Sequence, residues 1–473
     1  MKTPIITIVG RPNVGKSTLF NKIIGARVAI TAAESGTTRD RLFHKVIHPA
    51  IDFFLVDTGG LEFGKGENTI EDDMQAQSRI AMEEGDLVLF MVDGKTGVHG
   101  QDYKAAELLR KTVKKPVFLV VNKCDQYLDE AQLAEFYALG LGQPHQVSAM
   151  HKAGIDMLVD NVILSLKEQH FITKDDKRYS KMMKWEDTHT QVALVGKPNV
   201  GKSSLINALL NKNKLIVSEI PGTTRDSTDS LIKHKEKEYN FIDTAGLKRP
   251  GKTDRGIEKF SALRSMASIE RCDIALLVLD SSIPSSHQDQ AIASYIVEAG
   301  KGLVILVNKW DILLDDSGRS GEAKESKEDT GSKEMLRRNA YTSRLKKRFP
   351  FLAWASVIFT SAVTKKNLHV VFEQIDLITK ERKKRITTAK LNTFMEQLIH
   401  EHRPTGKGRV HPKIYYITQP EVEPPKFIVF VNKTRAFHFS YVRYIENRIR
   451  EKFTFAGTPI KIEYREKVRE NRR

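Results

Sequence analysis

Short runs of Val, Ile, Leu and Phe alternate with longer amphipathic stretches through the first three quarters of the chain. Runs at Ile5–Val9, Phe53–Val56, Leu87–Val92, Val117–Val121 and Gln146–Val147 predict strands. A second set follows at Val192–Val195, Tyr239–Ile242, Ile274–Leu279, Leu303–Val307 and Val357–Phe359. Strands that stay apolar at successive positions are covered on both faces, so the pattern predicts mostly parallel α/β sheets. Nearly every run is followed by a polar motif, beginning at Gly10, Asp57, Asn122 and Ser148 in the first set. Ligands of such sheets sit beyond the carboxyl ends of the strands, which would bring these motifs to one site.

After Lys380 the pattern changes. Leu391, Phe394, Met395, Leu398 and Ile399 fall on one helical face. Ile414–Ile417 and Phe427–Val431 read as strands joined by a Pro-rich loop. Val442, Ile445, Ile449 and Phe453 mark a second helix, and Ile460–Tyr464 a last strand. This order, α-β-β-α-β, predicts a small α+β domain.

The two strand sets carry one motif series twice. Gly10-Arg11-Pro12-Asn13-Val14-Gly15-Lys16-Ser17 recurs 186 residues later as Gly196-Lys197-Pro198-Asn199-Val200-Gly201-Lys202-Ser203. Gly36-Thr37-Thr38-Arg39-Asp40 recurs as Gly222-Thr223-Thr224-Arg225-Asp226, and Asp57-Thr58-Gly59-Gly60 as Asp243-Thr244-Ala245-Gly246. Asn122-Lys123-Cys124-Asp125 recurs as Asn308-Lys309-Trp310-Asp311. A tandem duplication of a nucleotide-binding domain is the simplest account. The offset reads as constant from Gly10/Gly196 through Asp125/Asp311, then becomes 213 at Ser148-Ala149 and Ser361-Ala362, so 27 residues are inserted between. The stretch near 315–335, whose only apolar residue up to Lys333 is one Ala, is the expected insertion and is expected to be disordered. The domains read as 1–166, a linker at 167–190, 191–383, 384–465 and a basic tail at 466–473.

Glycines in a P-loop let backbone N–H groups curl around a β-phosphate, the lysine reaches the phosphate oxygens, and the hydroxyl ligates Mg²⁺. Those roles fall to Gly10, Asn13, Val14, Gly15, Lys16, Ser17 and Thr18, and to Gly196, Asn199, Val200, Gly201, Lys202, Ser203 and Ser204. Asp57 and Asp243 end strands near the Mg²⁺ position, and Gly60 and Gly246 could offer an N–H to the γ-phosphate. Asp-x-x-Gly alone describes any turn; its spacing after the loop gives it meaning. The carboxylates of Asp125 and Asp311 can accept from guanine N1–H and N2–H, whereas adenine presents a bare acceptor there. Asn122, Lys123, Ser148 and Ala149, and Asn308, Lys309, Ser361 and Ala362, complete the two base sites. GTP and GDP are therefore the expected ligands.

The formal net charge is +17, and residues 384–473 hold 20 Lys plus Arg against 9 Asp plus Glu. Such concentration predicts a polyanion partner for the small domain. The two cysteines, Cys124 and Cys272, suit a reducing compartment, no apolar run approaches the roughly 20 residues that span a bilayer, and a cytoplasmic, non-membrane protein is expected.

The motifs resemble those of translation-factor-related GTPases. Two such domains followed by a small basic α+β domain resemble one bacterial family, Der (EngA), over nearly the whole chain, Gly457-Thr458-Pro459-Ile460 included. The resemblance implies a GTPase of ribosome biogenesis that matures the large (50S) subunit through rRNA, is monomeric off the ribosome, and carries a KH-like third domain. It implies that Thr38 and Thr224 are the first-switch threonines completing Mg²⁺ coordination, acting in hydrolysis with Lys16 and Lys202; adjacent Thr37 and Thr223 leave the choice open. Arg39 and Arg225 read as surface arginines rather than fingers. Leu61 and Leu247 stand where many GTPases place a water-orienting glutamine, so a potassium ion held partly by Asn13 and Asn199 is expected to supply the missing charge. Those asparagines also suit a turn after proline. KH modules clamp a nucleic-acid backbone with Gly-x-x-Gly, but Gly406-Lys407-Gly408-Arg409 has the wrong spacing. Arg443, Arg448, Arg450 and Lys452 are the candidate RNA contacts instead.

Overall fold

The structure is a computed structural model that describes residues 3–27, 43–58, 85–176, 188–212, 214–216, 229–244, 258–315, 327–404 and 411–467. The chain forms two compact units, one of residues 1–185 and 254–267, the other of residues 186–253 and 268–473.

In the first unit, β1 (Ile5–Val9), α1 (Lys16–Arg27), β2 (Phe43–Val46), β3 (Phe53–Asp57), β4 (Leu87–Asp93), α2 (Gly100–Thr112), β5 (Val117–Asn122), α3 (Glu130–Tyr137), β6 (His145–Gln146) and α4 (Ile155–Glu168) follow in order. The sheet order is β2-β3-β1-β4-β5-β6, parallel throughout except for β2 against β3. The apolar runs are buried on both faces, as their composition requires. Ile6, Ile8, Leu89 and Met91 pack with Leu19, Phe20, Leu158 and Val162 on one side. Val9, Val88, Phe90 and Val92 pack with Ala105, Leu109 and Phe136 on the other.

The second unit repeats the plan with β7 (Thr190–Val195), α5 (Lys202–Lys212), β8 (Lys214–Ile216), β9 (Ser230–His234), β10 (Lys237–Ile242), the last turn of α6 (Glu258–Arg271, whose residues up to Ala267 group with the first unit), β11 (Ile274–Asp280), α7 (His287–Glu298), β12 (Gly302–Asn308), α8 (Trp310–Asp315), α9 (Lys327–Arg348), β13 (Ser356–Phe359) and α10 (Leu368–Arg382). Its sheet runs β13-β12-β11-β7-β10-β9-β8, parallel from β13 to β10 and antiparallel beyond. The antiparallel strands β2, β8 and β9 lack the apolar run that marks the central strands, and the sequence pattern does not reveal them.

Register corrects the constant offset. Asp93 lies opposite Asn122, and Asp280 opposite Asn308, so these aspartates are 187 residues apart. One residue is gained before β11 and lost again before Asn308, at positions the motifs do not sample. The expected disorder near 315–335 is also amended: residues 316–326 lie outside the described residues, but 327–335 open α9. Glu334 anchors that helix by accepting from Lys366 at 2.7 Å and Arg338 at 2.6 Å, while Tyr341 and Leu345 enter the core. Likewise the first part of the expected linker folds back: the Lys174 ammonium pairs with Asp52 at 2.5 Å and its N–H donates to Ala50 O at 2.8 Å.

The C-terminal order is α11 (Thr388–Glu401), β14 (Ile414–Val422), β15 (Pro425–Val431), α12 (Phe439–Phe453) and β16 (Lys461–Glu466), the predicted α-β-β-α-β. β14 and β15 are antiparallel, β15 and β16 parallel. The Pro-rich loop is shorter than expected, because β14 continues past Pro420 through a bulge to pair Val422 with Pro425. On α12 the buried stripe is Tyr441, Ile445 and Ile449; Val442 stands beside it. Among the described residues no helix is long and apolar enough to cross a membrane.

Candidate nucleotide sites

Each loop joins the first parallel strand of its sheet to a helix that begins at the motif lysine, Lys16 or Lys202. A helix start leaves N–H groups without intrahelical partners and favours an anion. Lys16 Nζ donates to Gly10 O at 2.6 Å and Arg11 O at 2.9 Å; Lys202 Nζ donates to Gly196 O at 2.6 Å and Lys197 O at 2.5 Å. Both ammoniums therefore bridge the loop they belong to. Burial pushes the Lys202 ammonium down to about 8, with Asp289 opposing the shift. Gly15 and Gly201 have φ of 97° and 92°, and a Cβ on either would overlap the side-chain amide of Asn122 or Asn308. Glycine is required there by conformation and by space.

Those two asparagines tie the base motif to the phosphate loop. Asn122 Nδ2 donates to Val14 O at 2.8 Å, and its Oδ1 accepts from Ala149 N–H at 2.9 Å. Asn308 Nδ2 donates to Val200 O at 2.9 Å. One buried amide thus fixes three sequence-predicted segments in the first unit. Lys123 and Lys309 pair with Asp93 and Asp280, each at 2.6 Å. Burial opposes ionisation of both aspartates, but the lysine ammonium and nearby N–H groups hold them below the usual carboxylate range. Sequence reasoning missed these aspartates. Their signal was available as an acidic residue ending the third strand run of each repeat.

The two sites differ in detail. Ser17 Oγ donates to Asp57 Oδ2 at 2.5 Å, which sets a hydroxyl beside a carboxylate, oxygens suited to Mg²⁺. Ser17 and Ser203 are both exposed, but in the second unit the Asp243 N–H donates to Asp229 Oδ1 at 2.8 Å with φ of 55°. Asp125 accepts from Ser148 Oγ at 2.8 Å and pairs with Lys95 at 2.6 Å. The Lys95 ammonium, then the Ser148 hydroxyl, hold the Asp125 carboxyl below its ordinary range. Asp311 Oδ1 and Asn308 Oδ1 are buried without partners among the described residues, and Ser361 Oγ accepts from Thr364 N–H at 3.0 Å. Thr38, Arg39, Gly60, Leu61, Thr224, Arg225, Gly246 and Leu247 lie outside the described residues.

The candidate RNA contacts separate. Arg443 and Lys452 are exposed on α12. Arg448 pairs with Glu401 and Glu451 at 2.5 and 2.7 Å. Arg450 is turned inward: it pairs with Glu446 at 2.9 Å, donates to Phe455 O and Thr458 O, and stacks 5.0 Å from the Trp354 ring. Its donors serve folding, so it is removed from the RNA-contact set.

The sequence family described as "50S ribosome-binding GTPase" matches residues 5–123 and 191–309. "KH-domain-like of EngA bacterial GTPase enzymes, C-terminal" matches 385–465. The chain is 42% identical over 471 residues to "GTPase Der" of Heliobacterium modesticaldum, covering 99% of this chain and 100% of that protein. It is 42% identical over 474 residues to "GTPase Der" of Thermomicrobium roseum, covering 99% and 97%. A solved structure of Aquifex aeolicus Era bound to GDP.AlF4- is 22% identical with a TM-score of 0.26, covering 60% of this chain and 95% of that one.

Proposed function

The chain belongs to the Der (EngA) family of GTPases, and we accordingly propose that its two nucleotide sites gate association with the large (50S) ribosomal subunit through rRNA. A GTPase of ribosome biogenesis is the function the family carries. The finer reading, in which each GTP-to-GDP step releases a switch segment and alters ribosome affinity, is supported by two complete nucleotide motif sets in one chain. The observation that carries it is the Asn122 amide, which bonds the phosphate loop at Val14 and the base loop at Ala149 together. Nucleotide contacts at either end are thereby mechanically joined.

In this reading Ser17 and Asp57 hold Mg²⁺ in the first site and Ser203 and Asp243 in the second, with Thr38 and Thr224 completing the shell in the GTP state. Mg²⁺ supplies charge neutralisation of the β- and γ-phosphates. Lys16 and Lys202 position those phosphates. K⁺ beside Asn13 and Asn199 would stimulate hydrolysis in place of an arginine finger. The protein acts in the cytoplasm and is a monomer away from the ribosome. Arg443 and Lys452 contribute phosphate contacts from the third domain, with Arg448 available if its two glutamates release it.

Co-sedimentation with ribosomal subunits in GTP, GDP and no nucleotide tests this, with Lys16→Ala and Lys202→Ala measured separately. Subunit binding that is equal in all three conditions for wild-type protein would sink the gating. Absence of phosphate release, with and without ribosomes, would instead favour a non-catalytic RNA scaffold.

A further inference from the structure

The guanine-recognition carboxylates of the two sites are not in the same electrostatic situation. Asp125 Oδ2 is paired with Lys95 at 2.6 Å, while its Oδ1 accepts from Ser148. Lys95 stands two residues beyond Asp93, the end of β4, and its own N–H donates to Asp93 Oδ1 at 2.9 Å, so the lysine stem starts from a fixed point. In the second unit the same backbone bond to Asp280 Oδ1, also 2.9 Å, is made by the N–H of Ser282. Register therefore sets Ser282 opposite Lys95, a correspondence that the 186-residue motif offset misplaces by one. The Ser282 hydroxyl donates to Asp280 at 2.6 Å and does not reach Asp311. Asp311 Oδ1 is buried without a partner among the described residues.

We propose that Lys95 competes with the guanine base for Asp125 and thereby weakens nucleotide binding at the first site selectively. The proposal rests on the reading of both sites as guanine-nucleotide sites. Guanine presents two donors, N1–H and the N2 amine, to the two oxygens of one carboxylate. A lysine ammonium on Oδ2 occupies one of those acceptors and cancels the charge that attracts both donors. Base binding at the first site must break this pair; at the second, Asp311 carries no ion pair among the described residues, so the base meets no competing cation. Lys95 and Asp125 are 60% and 33% exposed, so the pair is of the modest, screened kind.

The test is titration of fluorescent GDP into full-length protein with the other site silenced, Lys202→Ala for reading the first site and Lys16→Ala for the second. Lys95→Ser should tighten first-site binding by roughly two- to fivefold, and Ser282→Lys should weaken the second by a similar factor. Lys95→Arg keeps the charge and should bind as the parent does. The gain from Lys95→Ser should shrink as salt rises from about 50 to 500 mM. First-site binding that is unchanged or weaker in Lys95→Ser overturns the proposal, since the lysine would then be a bystander or would stack on the base. If neither silenced protein binds GDP in preference to ADP, the guanine reading itself fails, a different result from an unchanged affinity. Thermal melts of Lys95→Ser and Ser282→Lys confirm that both surface variants fold.

Discussion

The N–H of Leu303 donates to the carbonyl of Gly457 at 2.8 Å, joining strand β12 of the second GTPase sheet to the segment before β16 of the third domain. Gly457 N–H donates in turn to Trp354 O at 3.1 Å. Around this stitch, Arg382 donates to Gly300 O at 2.8 Å, and Glu381 accepts from Phe455 N–H at 2.7 Å. The same strand, β12, ends at Asn308, whose amide holds the phosphate loop at Val200. One strand therefore has the third domain bonded at its amino end and the nucleotide motif at its carboxyl end.

Gly457 has φ of 66°, and a Cβ there would overlap Ile378. Gly457→Ala should destabilise the joined domains by roughly 2–4 kcal/mol, from the left-handed backbone plus overpacking. Denaturant unfolding followed by Trp fluorescence should show a lower midpoint. An unchanged midpoint would mean that the stitch contributes nothing to stability.

Asn122 uses both ends of its amide, whereas Asn308 Oδ1 is unpartnered among the described residues. Asn122→Ala leaves a buried carbonyl and a buried N–H unpaired and should cost about 1–3 kcal/mol. Asn308→Ala removes one bond and one orphaned acceptor, so its cost should be smaller. Equal losses in the two variants would count against the asymmetry.

Much of the parallel core and the nucleotide motifs was legible because burial on both faces demands continuous apolar runs, and phosphate contact demands Gly, Lys and Ser at fixed spacing. The antiparallel strands β2, β8 and β9 were not, since Phe43–Val46 and Lys214–Ile216 are short and carry lysines. Asp93 and Asp280 escaped because the motif offset hides a compensating one-residue shift, visible only in strand register. Arg450 was misjudged for another reason: charge density on α12 cannot tell an exposed guanidinium from one folded over Trp354.

That distinction is measurable. Arg443→Ala and Lys452→Ala should each weaken rRNA binding and reduce the slope of log affinity against log salt by about 0.7–0.9, the signature of one lost phosphate contact. Arg450→Ala should leave the slope unchanged and lower stability instead, because its guanidinium bonds Phe455 O and Thr458 O within the fold. A slope change in Arg450→Ala at unaltered stability would restore it to the RNA surface.

Asn13 and Asn199 have φ of 68° and 64°. Asparagine tolerates the left-handed region better than most residues, so the turn alone would explain both. The potassium proposal asks more of them, namely a side-chain oxygen for the ion. Glycine separates the two, since it accepts the same φ and removes the amide. Asn13→Gly and Asn199→Gly should keep GDP affinity near that of the parent. Each should lose K⁺ stimulation at its own site, read with the other site silenced by Lys202→Ala or Lys16→Ala. Turnover of the unaltered protein in K⁺ should exceed that in Na⁺ of equal ionic strength by roughly tenfold or more, a barrier difference of at least about 1.4 kcal/mol. If the two salts give equal rates, no ion substitutes for the glutamine replaced by Leu61 and Leu247. If K⁺ stimulates but the glycine variants respond as fully as the parent, the ion is held by other groups and the asparagines serve only the turn.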